Sequence, residues 1–180
     1  MAAQVIMRHL NWKLLWSKAL SCEIYFDGRV AKVVNKIETV EFILIRKTAQ
    51  IPARATKQGA GFDLYSPDAF TLFAGQRKTV PLGFKIKLPQ GHMAEFRDRS
   101  GLAHRNGLHV LAGIIDADFR DECGAILLNT GDEPVAVNIG DRIAQMLIRK
   151  VEEVELLQVN KFSEEETVLD RLGGFGSSGR

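Results

Sequence analysis

The stretch Leu82-Gly83-Phe84-Lys85-Ile86-Lys87-Leu88 decides the fold. Leu82, Phe84, Ile86 and Leu88 alternate with Gly83, Lys85 and Lys87, the period of two that a half-buried strand requires. Working outward, Val40 to Ile45 is a short apolar run rich in β-branched residues, and Ala125 to Leu128 and Ile143 to Ile148 are two more. Turn-forming clusters stand between them: Ser66-Pro67-Asp68, Pro89-Gln90-Gly91, Gly131 to Pro134, and Asn138 to Asp141. Short strands at such spacing predict an all-β barrel or jelly roll. One short helix is expected after Ser100, with Ser100 as its N-cap and Gly107 near its end. No internal repeat interrupts this punctuation.

The bulk numbers fit that picture. A chain of 180 residues holds one domain plus an appendage and can bury a sizeable core. With 46% hydrophobic and 26% charged residues it has an ordinary globular composition. A net charge of +2 gives no argument for a nucleic-acid surface. No apolar run reaches the roughly 18 residues of a membrane span. Cys22 and Cys123 form no metal-ligand or disulfide pattern, and Cys123 reads as a small core residue in a reducing compartment. Residues 1–22 contain no Asp or Glu and carry Arg8, Lys13 and Lys18 among Leu10, Trp12, Leu14, Leu15 and Trp16. That composition suits an organelle transit peptide, and equally a leader without a role of its own. Beyond it, Asp27-Gly28 within EIYFDGRVAKVV signals a hairpin. The location expected is cytoplasmic or nuclear, or mitochondrial if the leader is a transit peptide.

Five stretches break the strand pattern with glycines and polar residues: GFDLYS (61–66), RSGLA (99–103), GIIDADF (113–119) followed by Gly124, GDRIAQ (140–145), and Arg171 with GFGS (174–177). Singly, each has a plain role. Asp63 suits a turn, Ser100 a helix cap, Asp116 to Asp121 a solvated hairpin, and the Gly/Ser-rich end a linker. Together they suggest more. Arg99 and Ser100 at a helix start offer backbone N–H groups and a cation to an anion. A Gly-rich tail with an Arg and an aromatic adds donors and a stacking face. An Asp nearby can position or deprotonate water.

These five stretches, in this order and spacing, resemble the motifs of the homotrimeric dUTPases, the deoxyuridine 5'-triphosphate nucleotidohydrolases. The resemblance implies a distorted jelly-roll or β-barrel subunit with one short helix, and a homotrimer whose active sites are shared between subunits. It also implies Mg²⁺-dependent hydrolysis of dUTP to dUMP and pyrophosphate, limiting uracil in DNA and supplying dUMP for thymidylate synthesis. Residues 1–39 are then an extension, 40–165 the β domain, and 166–180 a mobile tail that closes over the site. By the resemblance Asp116 orients the attacking water, and Arg99, Ser100 and Gly101 contact phosphates. Gly113, Ile114, Ile115, Asp116 and Phe119 belong to a hairpin that holds uracil and deoxyribose, with Gly124 against the base. Asp63 and Gln145 support metal-bound water and the phosphate shell. Arg171, Phe175 and Gly176 close over phosphates and base. Mg²⁺ rides on the triphosphate with no direct protein ligand. The expected partners are dUTP and two further copies of the chain, with neither stable nucleic-acid binding nor a membrane.

Four positions depart from the family pattern. Phe119 stands where Tyr is usual and keeps the stacking face. Asp98 stands where Pro commonly precedes Arg-Ser-Gly, and on an extended strand its side chain should point away from Arg99. Asp121 replaces a usual Gly, which Asp can do in a left-handed turn. Arg171 lies one residue closer to Phe175 than is usual. Two alternatives remain beside the dUTPase reading. A dCTP deaminase of the same superfamily needs a Glu beside the base, and Glu122 lies beyond the hairpin. A non-catalytic binding module on the same fold is the other.

Overall fold

A computed structural model describes residues 38–161, together with the backbone of the strands at 22–26 and 31–35. Those two strands, β1 (Cys22–Phe26) and β2 (Ala31–Asn35), pair antiparallel with Phe26 opposite Ala31. The Asp27-Gly28 step falls in the connection between them, outside the described residues. The leader and the tail, with Arg171, Phe175 and Gly176, also lie outside them.

The first strand of the main domain, β3 (Glu41–Leu44), pairs with β7 (Phe84–Lys87), the heart of the quoted alternating stretch. The alternation is realised: Leu82, Phe84, Ile86 and Leu88 are each at most 4% exposed. Strand β7 starts at Phe84 rather than Leu82 because Gly83, at φ 74°, turns the chain. Cys123 bridges that turn, accepting from Leu82 N–H at 2.8 Å and donating to Phe84 O at 2.9 Å. Phe42 stacks edge-on against Phe84 with centroids 5.4 Å apart.

Four strands carry the site. These are β4 (Phe62–Tyr65), β8 (His92–Arg97), β10 (Ile114–Ile115) and β13 (Arg142–Lys150), in the order β10-β8-β13-β4. A second sheet joins β6 (Arg77–Pro81), β11 (Gly124–Asn129) and β9 (Leu108–Leu111), and a third pairs β5 (Phe70–Leu72) with β12 (Val135–Val137). The protein is thus all-β, and its hydrogen-bonded sheets are open rather than closed into a barrel. The expected runs at 125–128 and 143–148 fall within β11 and β13. Inward residues of the sheets, among them Leu64, Val80, Phe96, Leu127 and Met146, form one apolar core.

The predicted turns do structural work through buried polar groups. Ser66, fully buried, donates from its backbone N–H to Asp141 O, and its own carbonyl accepts from Gly140 N–H, both at 2.8 Å. Two turn clusters 70 residues apart in sequence are thereby joined. Asn129, also fully buried, donates to the carbonyls of Leu72 and Glu133 and accepts from Gly131 N–H. Each would cost free energy if unpaired, and among the described residues no buried side-chain polar atom lacks a partner.

The helix α1 (Ser100–Asn106) forms where expected and ends at Gly107 in the left-handed conformation. Its N-cap is Arg99, so Ser100 is the first helical residue and not the cap. No side chain caps the first turn, and the Ser100 hydroxyl is left exposed. After β13, Val151 N–H still donates to Gly91 O, but 152–161 run outside any sheet, with Val154, Leu156 and Leu157 at least 73% exposed. None of the described helices is long and apolar enough to cross a membrane.

Two outcomes follow from the core. Phe84→Ala removes a ring buried on all sides and should cost about 3–5 kcal/mol, read as a lowered urea midpoint; an unchanged midpoint would place Phe84 outside the core. Burial, with the Glu122 charge acting in the same direction, pushes the Cys123 thiol from 9.0 up to about 12. A raised value favours the protonated thiol in the folded state, so its contribution to stability is complete below pH 9 and fades as pH rises from 9 to about 12. In a Cys22→Ser background, iodoacetamide at pH 8 should leave the native protein unlabelled and modify it in urea; rapid native labelling would contradict the sealed position.

Candidate functional site

Asp63 is the organising group. It sits on β4, is 8% exposed, and its two carboxylate oxygens face two different guanidinium groups. Arg99 Nε donates to Oδ1 at 2.9 Å and Arg142 NH1 donates to Oδ2 at 3.2 Å. Arg99 NH1 also donates to the Arg142 carbonyl at 3.2 Å. A buried carboxylate without such partners would lose its hydration uncompensated. Here the charge is held, and Arg99 is fixed in direction. Asp63 therefore acts first on Arg99, while each of its oxygens keeps lone-pair capacity for a water.

Strand register explains why these residues meet. Gln145 on β13 lies opposite both Asp63 on β4 and Arg97 on β8. Its side chain reaches the end of β8, where Nε2 donates to the Asp98 carbonyl at 2.7 Å. A β-carbon on Gly61 would stand 2.5 Å from Gln145 Oε1, so any side chain at 61 would displace the amide. The glycine of the first motif is thus a packing requirement of the fourth. Beside this group opens a cavity of about 410 Å³ bordered by Asp98, Ser100, His109 and Gln145. Ser100 and Gly101 enter α1 at its rim, with two of the helix's first backbone N–H groups unspent by any cap side chain.

The carboxylate of Asp98 is turned onto β9, as its extended position suggested. It accepts from Val110 N–H at 2.6 Å and meets His109 Nδ1 at 2.8 Å. Asp121 does not use the left-handed turn expected of it, because Ala112 is the one non-glycine with positive φ among the described residues. Its side chain instead accepts from Glu122 N–H, 2.8 Å away. Glu122 is engaged elsewhere, accepting from Gly83 N–H and pairing with Arg46. That ties down the carboxylate a deaminase reading would require at the base.

The segment 113–119 begins beside Phe96 and runs away from the Arg99 turn. Gly113, at φ 105°, carries the chain from β9 into β10, and a β-carbon there would come within 2.7 Å of Phe96 O. Ile114 and Ile115 then pair with Glu95 and Ala94 of β8, not with a returning strand. The expected hairpin is therefore a β-turn, closed by Phe119 N–H donating to Asp116 O at 3.2 Å. Arg120 NH1 braces it by donating to the Ala117 and Phe119 carbonyls at 2.7 Å. Phe119 is half-buried against the core, whereas Ile114 and Asp116 are exposed. Gly124 begins β11 opposite Pro81. With Ile115 opposite Ala94 and Arg99 five residues further along the chain, the Asp116 turn and the Arg99 turn stand roughly 17 Å apart at about 3.3 Å per residue.

So the structure gathers Asp63, Arg99, Ser100, Gly101 and Gln145 just past the Arg97 end of β8. Gly113 lies beside Phe96 near that same end, Ile114 and Ile115 run back opposite Glu95 and Ala94, and Asp116 and Phe119 follow in the turn beyond them. Arg142 was missed by sequence reasoning, although it stands inside the GDRIAQ stretch. Its 79-residue separation from Asp63 hid the pairing. His109 gave no signal of its own.

Comparison with known proteins agrees with the geometry. Residues 47–179 match the dUTPase family model. The deoxyuridine 5'-triphosphate nucleotidohydrolase of an Anaeromyxobacter species is 41% identical over 133 residues, covering 73% of this chain and 88% of its own length. That of Yarrowia lipolytica is 37% identical over 143 residues, covering 78% and 89%. Among solved structures, a mutant dUTPase of Staphylococcus bacteriophage 80alpha with dUpNHpp superposes at a TM-score of 0.72 and 24% identity, covering 79% of this chain and 99% of that one. A mutant dUTPase from phage phi11 of S. aureus, described for the coordination of a structural Mg(II) ion, gives 0.66 and 22%, covering 70% and 99%. With the family model spanning most of its length and nucleotidohydrolases near 40% identity covering most of both chains, this chain belongs to the dUTPase family of enzymes.

Proposed function

We propose that the protein hydrolyses dUTP to dUMP and pyrophosphate with Mg²⁺, limiting uracil in DNA and supplying dUMP for thymidylate synthesis. The observation that carries the reading is the Arg99–Ser100–Gly101 turn, fixed by Asp63, Arg142 and Gln145 at the edge of a cavity. A guanidinium, a free hydroxyl and uncapped backbone N–H groups form a binding surface for a polyphosphate. Asp116 orients the water and takes its proton as the oxygen attacks the α-phosphorus. The bridging P–O bond breaks and its electron pair leaves with pyrophosphate. Gly113 to Phe119 present backbone groups to the uracil edge, and a cytosine would leave those groups unpaired. Arg171, Phe175 and Gly176 close over base and phosphates.

Among the described residues no three His, Cys, Asp or Glu gather as a metal cage. Among the described residues the exposed carboxylates of Asp116 and Asp118 form no ion pair, and both are open to a cation's water shell. Mg²⁺ carried on the triphosphate would neutralise phosphate charge and fix the geometry of attack. A structural neighbour from phage phi11 is described with a structural Mg(II) ion, and the 80alpha enzyme with dUpNHpp, which favours the same ligands here.

A homotrimer with shared sites belongs to the proposal. The roughly 17 Å along β8 between the Asp116 and Arg99 turns supports it, since two subunits could supply one each. The exposed Val154, Leu156 and Leu157 offer apolar surface that association would cover. For location, the reading stays with cytoplasm or nucleus, and with mitochondria if residues 1–22 direct import.

Three measurements bear on this. Pyrophosphate release should be seen from dUTP and not from dCTP, dTTP or UTP, should stop with EDTA, and should return with Mg²⁺; ammonia from dCTP would instead reveal a deaminase. Asp116→Asn should lower kcat roughly 100- to 10,000-fold with the fold unchanged, the usual scale for losing a positioned base. Asp116→Asn and Ser100→Ala chains, each nearly inactive alone, should regain about a quarter of full activity when co-refolded in equal amounts, since random mixing pairs an intact turn with an intact carboxylate in that share of sites. No recovery would mean that each site is built within one chain.

A further inference from the structure

The short connection between β8 and α1 has an anchor that the reaction as described does not use. Asp98 precedes Arg99 directly, and three of its oxygens are engaged. Oδ1 accepts from Val110 N–H at 2.6 Å, and Oδ2 meets His109 Nδ1 at 2.8 Å. Its backbone oxygen accepts from Gln145 Nε2 at 2.7 Å. One residue therefore ties the phosphate-binding turn to β9 on one side and to β13 on the other. These strands belong to different sheets, and Asp98 connects them where the cavity opens.

We propose that Asp98 is a positioning residue of the phosphate site, holding Arg99 and Ser100 in register and aiming the Gln145 amide. The family pattern commonly has Pro here, whose ring restricts φ covalently. This chain reaches the same end by hydrogen bonds, which hold only while β9 is in place. The Gln145 amide has two N–H groups. The Asp98 carbonyl takes one, which fixes the amide where Gln145 lines the cavity. Asp98 touches no substrate in this account: its carboxylate faces β9, where Val110 N–H donates to one oxygen and His109 Nδ1 meets the other. A displacement of about 1 Å at a phosphate contact can cost on the order of 100-fold in rate.

The inference rests on the dUTPase reading, and the experiment separates the two. The unsubstituted protein must first turn over dUTP; without turnover both readings fall. Asp98→Ala should then lower kcat at least tenfold, with KM for dUTP raised less. Asp98→Asn keeps an acceptor for Val110 N–H and should recover kcat to within about threefold of the parent. His109→Ala removes one of the two side-chain partners and should lower kcat by a smaller factor. It also serves should Asp98→Ala fail to fold. Melting temperatures are recorded for all three. A fall in melting temperature with the kcat of Asp98→Ala and His109→Ala unchanged would make Asp98 a stabilising residue only and overturn the proposal. An Asn variant as slow as the Ala variant would overturn it as well.

Discussion

A carboxylate at 8% exposure, held between two arginines, is the constraint on which this site depends. Removing Asp63's hydration is expensive, and two guanidinium groups at about 3 Å offset it only while β4, β13 and the end of β8 stay in register. The arrangement thus couples sheet geometry to the direction of Arg99. Lone arginines on a turn would sample many rotamers, and their order here comes from the buried acid. Gly61 extends the same logic, since the space it leaves empty is occupied by the Gln145 amide.

Strand β8 then acts as a ruler. Its far end carries the Asp116 turn through two paired residues of β10, and its near end carries the Arg99 turn. Both ends are stiffened by β13, paired along the whole strand from Gln145 opposite Arg97 to Lys150 opposite His92. The two halves of the chemistry are kept apart by a rigid element. On the shared-site proposal, a second subunit would bring them together.

The sequence spoke clearly where one face of a strand is buried and the other wet. Leu82 to Leu88 showed its alternation because Lys85 and Lys87 face solvent while Phe84 and Ile86 face the core. Strands such as β5, β10 and β12 are two or three residues long, too short for any period to register. The motif residues were legible as chemistry, but their grouping was not, because it depends on register between distant strands. Arg142 reaching Asp63 and Asp98 reaching His109 are both of this kind. The Ser100 cap failed for a local reason: the helix begins one residue earlier than its side chain suggested, with Arg99 in extended conformation at the cap.

The distance along β8 also bears on heredity. On the shared-site reading, a chain damaged at one end still lends its sound end to a neighbour, and its faulty end spoils a site whose other half is normal. Each assembly then loses only the sites that draw on an altered end, so activity falls in proportion to altered copies. In a cell carrying one normal and one altered allele, a lesion at Asp116 or Ser100 that spares folding would therefore leave half the sites intact, whereas two alleles altered at different ends would partly complement each other.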